Sequence, residues 1–388
     1  MTALDPRPVR YQRSVPAELR MDPDASRPPR SRKRTRRPRV PRWQRIVTRL
    51  GILGVGGTLL LGTLSLLWSS PTPAPAVVLP ETTSLPTPDP TQVMAPLTLA
   101  TEQVSLQERL TALNTYPTLT VSALFADLDS GEYAQLNAEE PFPAASTIKV
   151  PVLVALLQAI DANEVTWTEK LTLTSELLAG EAGILKGRPL GSQISVLEAG
   201  TLMSVISDNT GTNLIIDRLG GIPALNERFR QWGLRHTQIN ALLPDLSGTN
   251  TTSAYDMVQL MNSIEQGQLL SRRSRDHFLN ILYRTRVQTL LTPGLGEGSR
   301  IYHKTGDIGG MVGDVGLIDM ANGRRYLATV LVKRDHNNRQ ANELIRQMSR
   351  LVYQYWDQPQ PVQSPPAEVP ASAPPSDPPP TAPSPAEG

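Results

Sequence analysis

No cysteine occurs among the 388 residues. Disulfide bonds and thiolate nucleophiles are therefore excluded. Histidine is nearly as scarce: His236, His277, His303 and His336 are the four present. They are isolated, without the short spacing that gathers ligands around a metal, so no metal or other cofactor is expected. No internal repeat is visible, and net charge is almost absent, at +2 from 38 Lys and Arg against 36 Asp and Glu.

That near-balance hides a strong asymmetry. Residues 1–49 carry fifteen Arg or Lys, opposed by Asp5, Glu18, Asp22 and Asp24. The cluster from Arg30 to Arg39 suits either nucleic acid or anionic lipid. It runs directly into the uncharged, Leu- and Gly-rich stretch 50–69, which decides for the membrane and against a nucleic-acid partner. At about 1.5 Å per residue such a run reaches roughly the thickness of a bilayer core. Trp43 and Trp68 flank it at interface positions, and the basic side is expected to stay cytoplasmic. A cleavable signal peptide is the alternative, since Ala74-Pro75-Ala76 has the makeup of a cleavage site. The long apolar run and long basic leader favour a single-pass anchor in the cytoplasmic membrane. Either reading puts the remainder outside the cytoplasm, in the periplasm.

Residues 70–99 are rich in Pro and Thr and read as an extended linker. Residues 358–388, with proline at nearly every third position, read as a disordered tail. The folded domain is expected over 100–357. A helix is expected near Thr101–Leu113, then a hairpin of Thr118–Leu128 and Glu132–Asn137 around Asp129-Ser130-Gly131. From Ala144 to about Leu291 the pattern is mostly helical. Met311–Ile318 and Arg325–Lys333 read as strands joined at Ala321-Asn322-Gly323. A last helix over Gln340–Tyr355 puts Ala341, Leu344, Ile345, Met348, Leu351, Val352 and Tyr355 on one stripe. Strands at both ends with helices between imply an α+β fold: one antiparallel sheet, flanked by terminal helices, with an inserted helical subdomain.

Three short patterns carry chemistry. In Phe142-Pro143-Ala144-Ala145-Ser146-Thr147-Ile148-Lys149, a serine and a lysine stand three apart ahead of an apolar run. On a helix they share a face, and a desolvated lysine can take the serine proton near neutral pH. A helix start also offers free N–H groups to a developing oxyanion. Taken alone, the pattern reads rather as an N-capping serine with a solvated lysine. Ser207-Asp208-Asn209 alone reads as capping-turn chemistry, and Lys304-Thr305-Gly306 as an edge-strand lysine before a bend. Together, in this order, they form the trio of class A β-lactamases and penicillin-binding proteins.

The chain therefore resembles the penicillin-recognising serine hydrolases over about 250 residues, and most of all the class A β-lactamase-like branch. The likeness rests on these motifs, with Thr210, Asn213-Leu214 and His303 beside them. It implies that Ser146 is acylated, Lys149 accepts its proton, and Ser207 relays a proton to the leaving nitrogen. Asn209 would hold the substrate amide; Lys304, Thr305 and Gly306 would line the subsite for the substrate carboxylate. The oxyanion would lie between the backbone N–H groups of Ser146 and Asp307. The implied substrates are a β-lactam or a peptidoglycan stem peptide.

One departure bears on the outcome. Class A β-lactamases place a glutamate, in a Glu-x-x-x-Asn element, where this chain has Gly233–Ser253, and no glutamate occurs there. Asp245 is the only acid in that stretch and is the candidate deacylation substitute; as Pro-Asp it also reads as a turn residue. Nor does Ala179-Gly180-Glu181-Ala182-Gly183-Ile184 supply the aromatic that the family often sets at the pocket edge. Three functions remain open: a β-lactamase-like hydrolase, a D-Ala-D-Ala peptidase or transpeptidase, and a non-catalytic wall-binding module.

Overall fold

The computed structural model describes Met94 and residues 97–358. The basic leader, the apolar run at 50–69, most of the linker and nearly all of the tail lie outside the described residues. Among the described residues, no helix is long and apolar enough to cross a membrane. Met94 is buried, with Leu97 and Leu99 partly buried against the same core, so the chain is already packed before residue 100.

The described residues form ten strands and eight helices. The principal sheet contains β1 (Thr101–Glu102), β2 (Thr120–Asp127) and β3 (Glu132–Leu136) from the start of the domain. Two ribbons pair β4 (Phe142–Pro143) with β7 (Thr251–Thr252), and β5 (Lys170–Thr172) with β6 (Gln193–Ser195). The sheet is completed by β8 (Arg300–Asp307), β9 (Met311–Asp319) and β10 (Arg325–Lys333), in the order β1-β3-β2-β10-β9-β8. All its pairings are antiparallel except the short β1, which runs parallel to β3. The expected helix from Thr101 thus begins only at Val104, because Thr101 and Glu102 join the sheet edge and Gln103 is the N-cap.

Both faces of the sheet are covered, so its central strands read as continuous apolar runs. Strand alternation divides them. Val121, Ala123 and Phe125 of β2, with Tyr326, Ala328, Val330 and Val332 of β10, face α1 (Val104–Leu113) and α8 (Gln340–Trp356). Leu124, Ala126 and Leu327 face the helical region. The stripe on α8 is buried as its periodicity requires, with Tyr353 and Trp356 added and Leu351 and Tyr355 at its margin.

The helical region comprises α2 (Lys149–Asp161), α3 (Val196–Val205), α4 (Asn209–Arg218), α5 (Gly221–Gln231), α6 (Ala254–Glu265) and α7 (Arg272–Tyr283). Helix α2 is buried on nearly every side from Lys149 to Ala159. A helix so enclosed holds its first turn rigidly, and that turn carries the serine–lysine pair.

Candidate active site

Ser146 lies in a single 3-10 turn, Ala145–Ile148, that leads into α2. Ala145, just before it, has φ +46°, a left-handed conformation uncommon outside glycine. A left-handed residue followed by right-handed ones turns successive N–H groups toward one point, an anion-binding concavity. Ala144 N–H donates to Asn250 O and Thr147 Oγ1 to Ala144 O, which fastens the turn from two sides.

Lys149 Nζ stands 3.0 Å from Ser146 Oγ, 2.9 Å from Ser207 Oγ, 2.8 Å from Ser207 O and 2.8 Å from Asn209 Oδ1. Ser207 Oγ donates to Ser146 Oγ at 2.9 Å, and Lys304 Nζ donates to Ser207 Oγ at 3.2 Å. Two hydroxyls and two lysine amines thus meet in one network, with both lysines 1 % exposed. Burial holds Lys149 well below the ordinary lysine value; the charge of Lys304 lowers it further, and Asp208 opposes both. Burial brings Lys304 down to about 8 against the opposing field of Asp314. No carboxylate is among the hydrogen-bond partners of Ser146, Lys149 or Ser207 within the described residues.

The Ser207-Asp208-Asn209 triplet divides its labour. Ser207 is in the left-handed region at φ +61°, a conformation that costs about 1–3 kcal/mol and needs support around it. Asp208 supplies that support. One carboxylate oxygen caps α4 through Gly211 N–H at 2.8 Å, and the other accepts from Ile184 and Leu185 N–H at 2.6 and 2.9 Å. Asn209 Nδ2 donates to Gly180 O, so the segment 180–185 is tied to both residues. Gly183 is required there, since a Cβ would lie 2.2 Å from the Asp208 carboxylate. The capping role of the triplet and its place in the site are both realised, by different residues.

The third pattern lies on β8, an edge strand whose sequence carries no apolar alternation. Its pleat puts Tyr302 and Lys304 on the helical-region face, while His303 lies on the opposite face, bonded to buried Asp314 at 2.9 Å. Ile308 N–H donates to Met311 O across the hairpin. N–H directions alternate along a strand, so the Asp307 N–H points away from β9, toward the open edge. A Cβ on Gly306 would stand 2.9 Å from Ser146 N and 3.1 Å from Thr147 N. The end of β8 therefore runs directly against the N–H groups of the serine turn. Thr305 is nearly buried beside Lys304, whose Nζ also donates to Thr305 O at 2.6 Å.

Asp245 stands apart from this network. Its carboxylate accepts from Thr249 Oγ1 at 2.9 Å and from Asn250 N–H at 2.6 Å, closing the loop 240–250 on itself. Asn213, a turn beyond Asn209, accepts from Leu243 N–H and donates to Leu243 O, binding this loop to α4. In the stretch without an aromatic, Ile184 is the exposed apolar residue, at 62 %.

The beta-lactamase enzyme family is described by a sequence model that matches residues 105–356. The extended-spectrum beta-lactamase PER-1 of Pseudomonas aeruginosa is 25 % identical over 277 residues, covering 64 % of this chain and 87 % of that protein. Beta-lactamase BRO-1 of Moraxella catarrhalis is 24 % identical over 246 residues, covering 58 % and 77 %. Among solved structures, PBP-A is 49 % identical with a TM-score of 0.66, covering 68 % of this chain and 99 % of that one. A leucine-to-glutamate mutant of PBP-A has been solved as an acyl-enzyme complex with penicillin G.

Proposed function

Because the chain belongs to the beta-lactamase enzyme family and is a serine hydrolase of that type, we propose that it works through a long-lived acyl-enzyme on Ser146, as a penicillin-binding D-Ala-D-Ala peptidase or transpeptidase. Neutral Lys149 takes the Ser146 proton as Oγ attacks the amide carbonyl. The oxyanion is held by the N–H groups of Ser146 and Asp307. Ser207 passes a proton to the leaving nitrogen, Asn209 orients the acyl amide, and Lys304 with Thr305 holds the substrate carboxylate. The C–N bond breaks, leaving an ester on Ser146.

The observation that carries slow release is that, among the described residues, the network around Ser146 holds no carboxylate, with the loop acid Asp245 engaged in its own turn. Ester hydrolysis needs a base within reach of an attacking water, worth about 10²–10⁴-fold. Its lack slows deacylation far more than acylation. The substrates are β-lactams and, in the cell, peptidoglycan stem peptides presented outside the cytoplasmic membrane. Residues 50–69 serve as the anchor and 70–93 as the spacer.

The test combines a fluorescent penicillin, a chromogenic cephalosporin and intact-mass spectrometry. One β-lactam retained on the peptide holding Ser146, and absent from Ser146→Ala, is the expected result. Many rapid turnovers would instead make the protein a β-lactamase. Neither labelling nor turnover would leave a wall-binding module.

A further inference from the structure

We propose that Arg334 is a positioning residue for the oxyanion site, holding the turn between β8 and β9 so that the Asp307 N–H stays aimed at the reacting carbonyl. The assignment rests on the acyl-transfer reading above and adds a residue far from Ser146 in the chain.

Arg334 comes directly after β10, and β9 lies between β10 and β8 in the sheet. Its side chain reaches across that strand and is only 2 % exposed. The guanidinium uses its whole fork. Nε donates to Gly309 O at 2.8 Å, Nη1 to Asn342 Oδ1 at 2.8 Å and to Asn338 O at 3.3 Å, and Nη2 to Asp307 Oδ1 at 2.5 Å. The backbone repeats the grip: Arg334 N–H donates to Gly310 O at 2.9 Å, and Asn337 N–H to Gly309 O at 3.0 Å. Asp307 Oδ1 also accepts from Gly309 N–H at 2.9 Å. The four-residue turn is thus held at its first, third and fourth positions. Gly309 adopts φ +82°, and a Cβ there would lie 2.5 Å from the His336 ring.

Burying a guanidinium is costly unless it is paired and fully bonded. Asp307, whose side chain is 51 % exposed, is the acid that pairs with it. The charged pair therefore ends on the residue whose N–H turns to the open edge beside Ser146. A hydrogen bond to a developing oxyanion depends on direction. A displacement of about 1 Å can cost roughly 10²-fold. With the fork removed, the backbone bonds to Gly309 O and Gly310 O still hold the far end of the turn, but Asp307 at its near end loses its clamp and its donor can drift.

Arg334→Gln, Arg334→Lys and Asp307→Ala test the assignment; the last keeps the backbone N–H and deletes only the carboxylate. Stopped-flow labelling with a fluorescent penicillin separates reversible binding from the acylation step. Arg334→Gln and Asp307→Ala are each expected to slow acylation by about 10- to 100-fold, with reversible binding within about twofold. The double variant should lose no more than the worse single one, because the pair acts as a unit. Arg334→Lys keeps the charge without the fork and should regain only part of the rate. A boronic acid whose oxygen occupies the oxyanion site should weaken in step with acylation, which loss of stability alone would not produce. Asp307→Ala acylating at the wild-type rate would overturn the proposal, as would a loss confined to reversible binding. Should the Arg334 variants fail to fold, Asp307→Ala decides by itself. A wild type that penicillin does not label would overturn the acyl-transfer reading and this assignment with it.

Discussion

Lys149 and Lys304 both reach Ser207 Oγ, at 2.9 and 3.2 Å, and the proposed acylation needs them in opposite protonation states. The base must be neutral and the carboxylate anchor charged. Burial pushes both downward, and Lys149 is lowered further by the charge of Lys304 beside it. Lys149→Ala is therefore expected to cut acylation of Ser146 by about 10²–10⁴-fold while the circular dichroism spectrum is kept. The pH profile is set by Lys304. It is charged below about 8 and neutral above, so acylation by a carboxylate-bearing β-lactam should fall as pH rises through that value. Asp314 acts in the other direction and favours the charged form. Asp314→Asn should accordingly move the falling limb to lower pH in second-order acylation rates. An unmoved limb would show that the decline belongs to another group.

At the scale of elements, the end of β8 and the serine turn must fit without a side chain between them. Gly306→Ala is expected to slow acylation about 10-fold or more, since its Cβ would press on Ser146 N at 2.9 Å and part the strand from the turn. Melting should change little, because β8 keeps its ladder with β9; labelling rate and Tm measured together check this. The loop 240–250 gives the complementary case. Asp245→Ala removes two hydrogen bonds inside the turn, one to a backbone N–H. The loss is about 1–3 kcal/mol, or roughly 2–10 °C in Tm for a domain of this size. Asp245→Asn, which keeps an acceptor oxygen, should leave the lifetime of the penicillin adduct unchanged. A longer-lived adduct would identify Asp245 as the base. Strands β2, β9 and β10 were legible in the sequence as apolar runs bounded by turn residues, and helix α8 by its helical period. The lysine, serine and threonine of the site were legible as motifs. Strand β8 was announced only by its edge-strand lysine before a bend, because Arg300-Ile301-Tyr302-His303-Lys304 buries charge where a strand normally buries valine or isoleucine. Asp208 as the brace of Ser207, and Arg334 as the clamp of Asp307, depend on contacts that no local pattern announces.

For the whole molecule, the proposed topology has its own test. Alkaline phosphatase fused after Pro80 should be active if the apolar run 50–69 carries the downstream chain across the membrane, and an inactive fusion would refute that orientation.

Strand β2 pairs with β10 along its whole length, from Thr120 against Lys333 to Asp127 against Tyr326. The first long strand thus finds its inner neighbour in the last one, and β8 and β9 attach only beyond it. Such distant pairing makes folding wait for the whole chain. During synthesis, a nascent chain already carries Ser146 and Lys149 long before the strand that seats the β8–β9 hairpin has emerged. A chain halted before Arg325 should therefore bind no fluorescent penicillin, although every residue of the three motifs is present. Reactivity arrives at a single moment, when the last strand slides home, so an unfinished molecule carries no armed nucleophile.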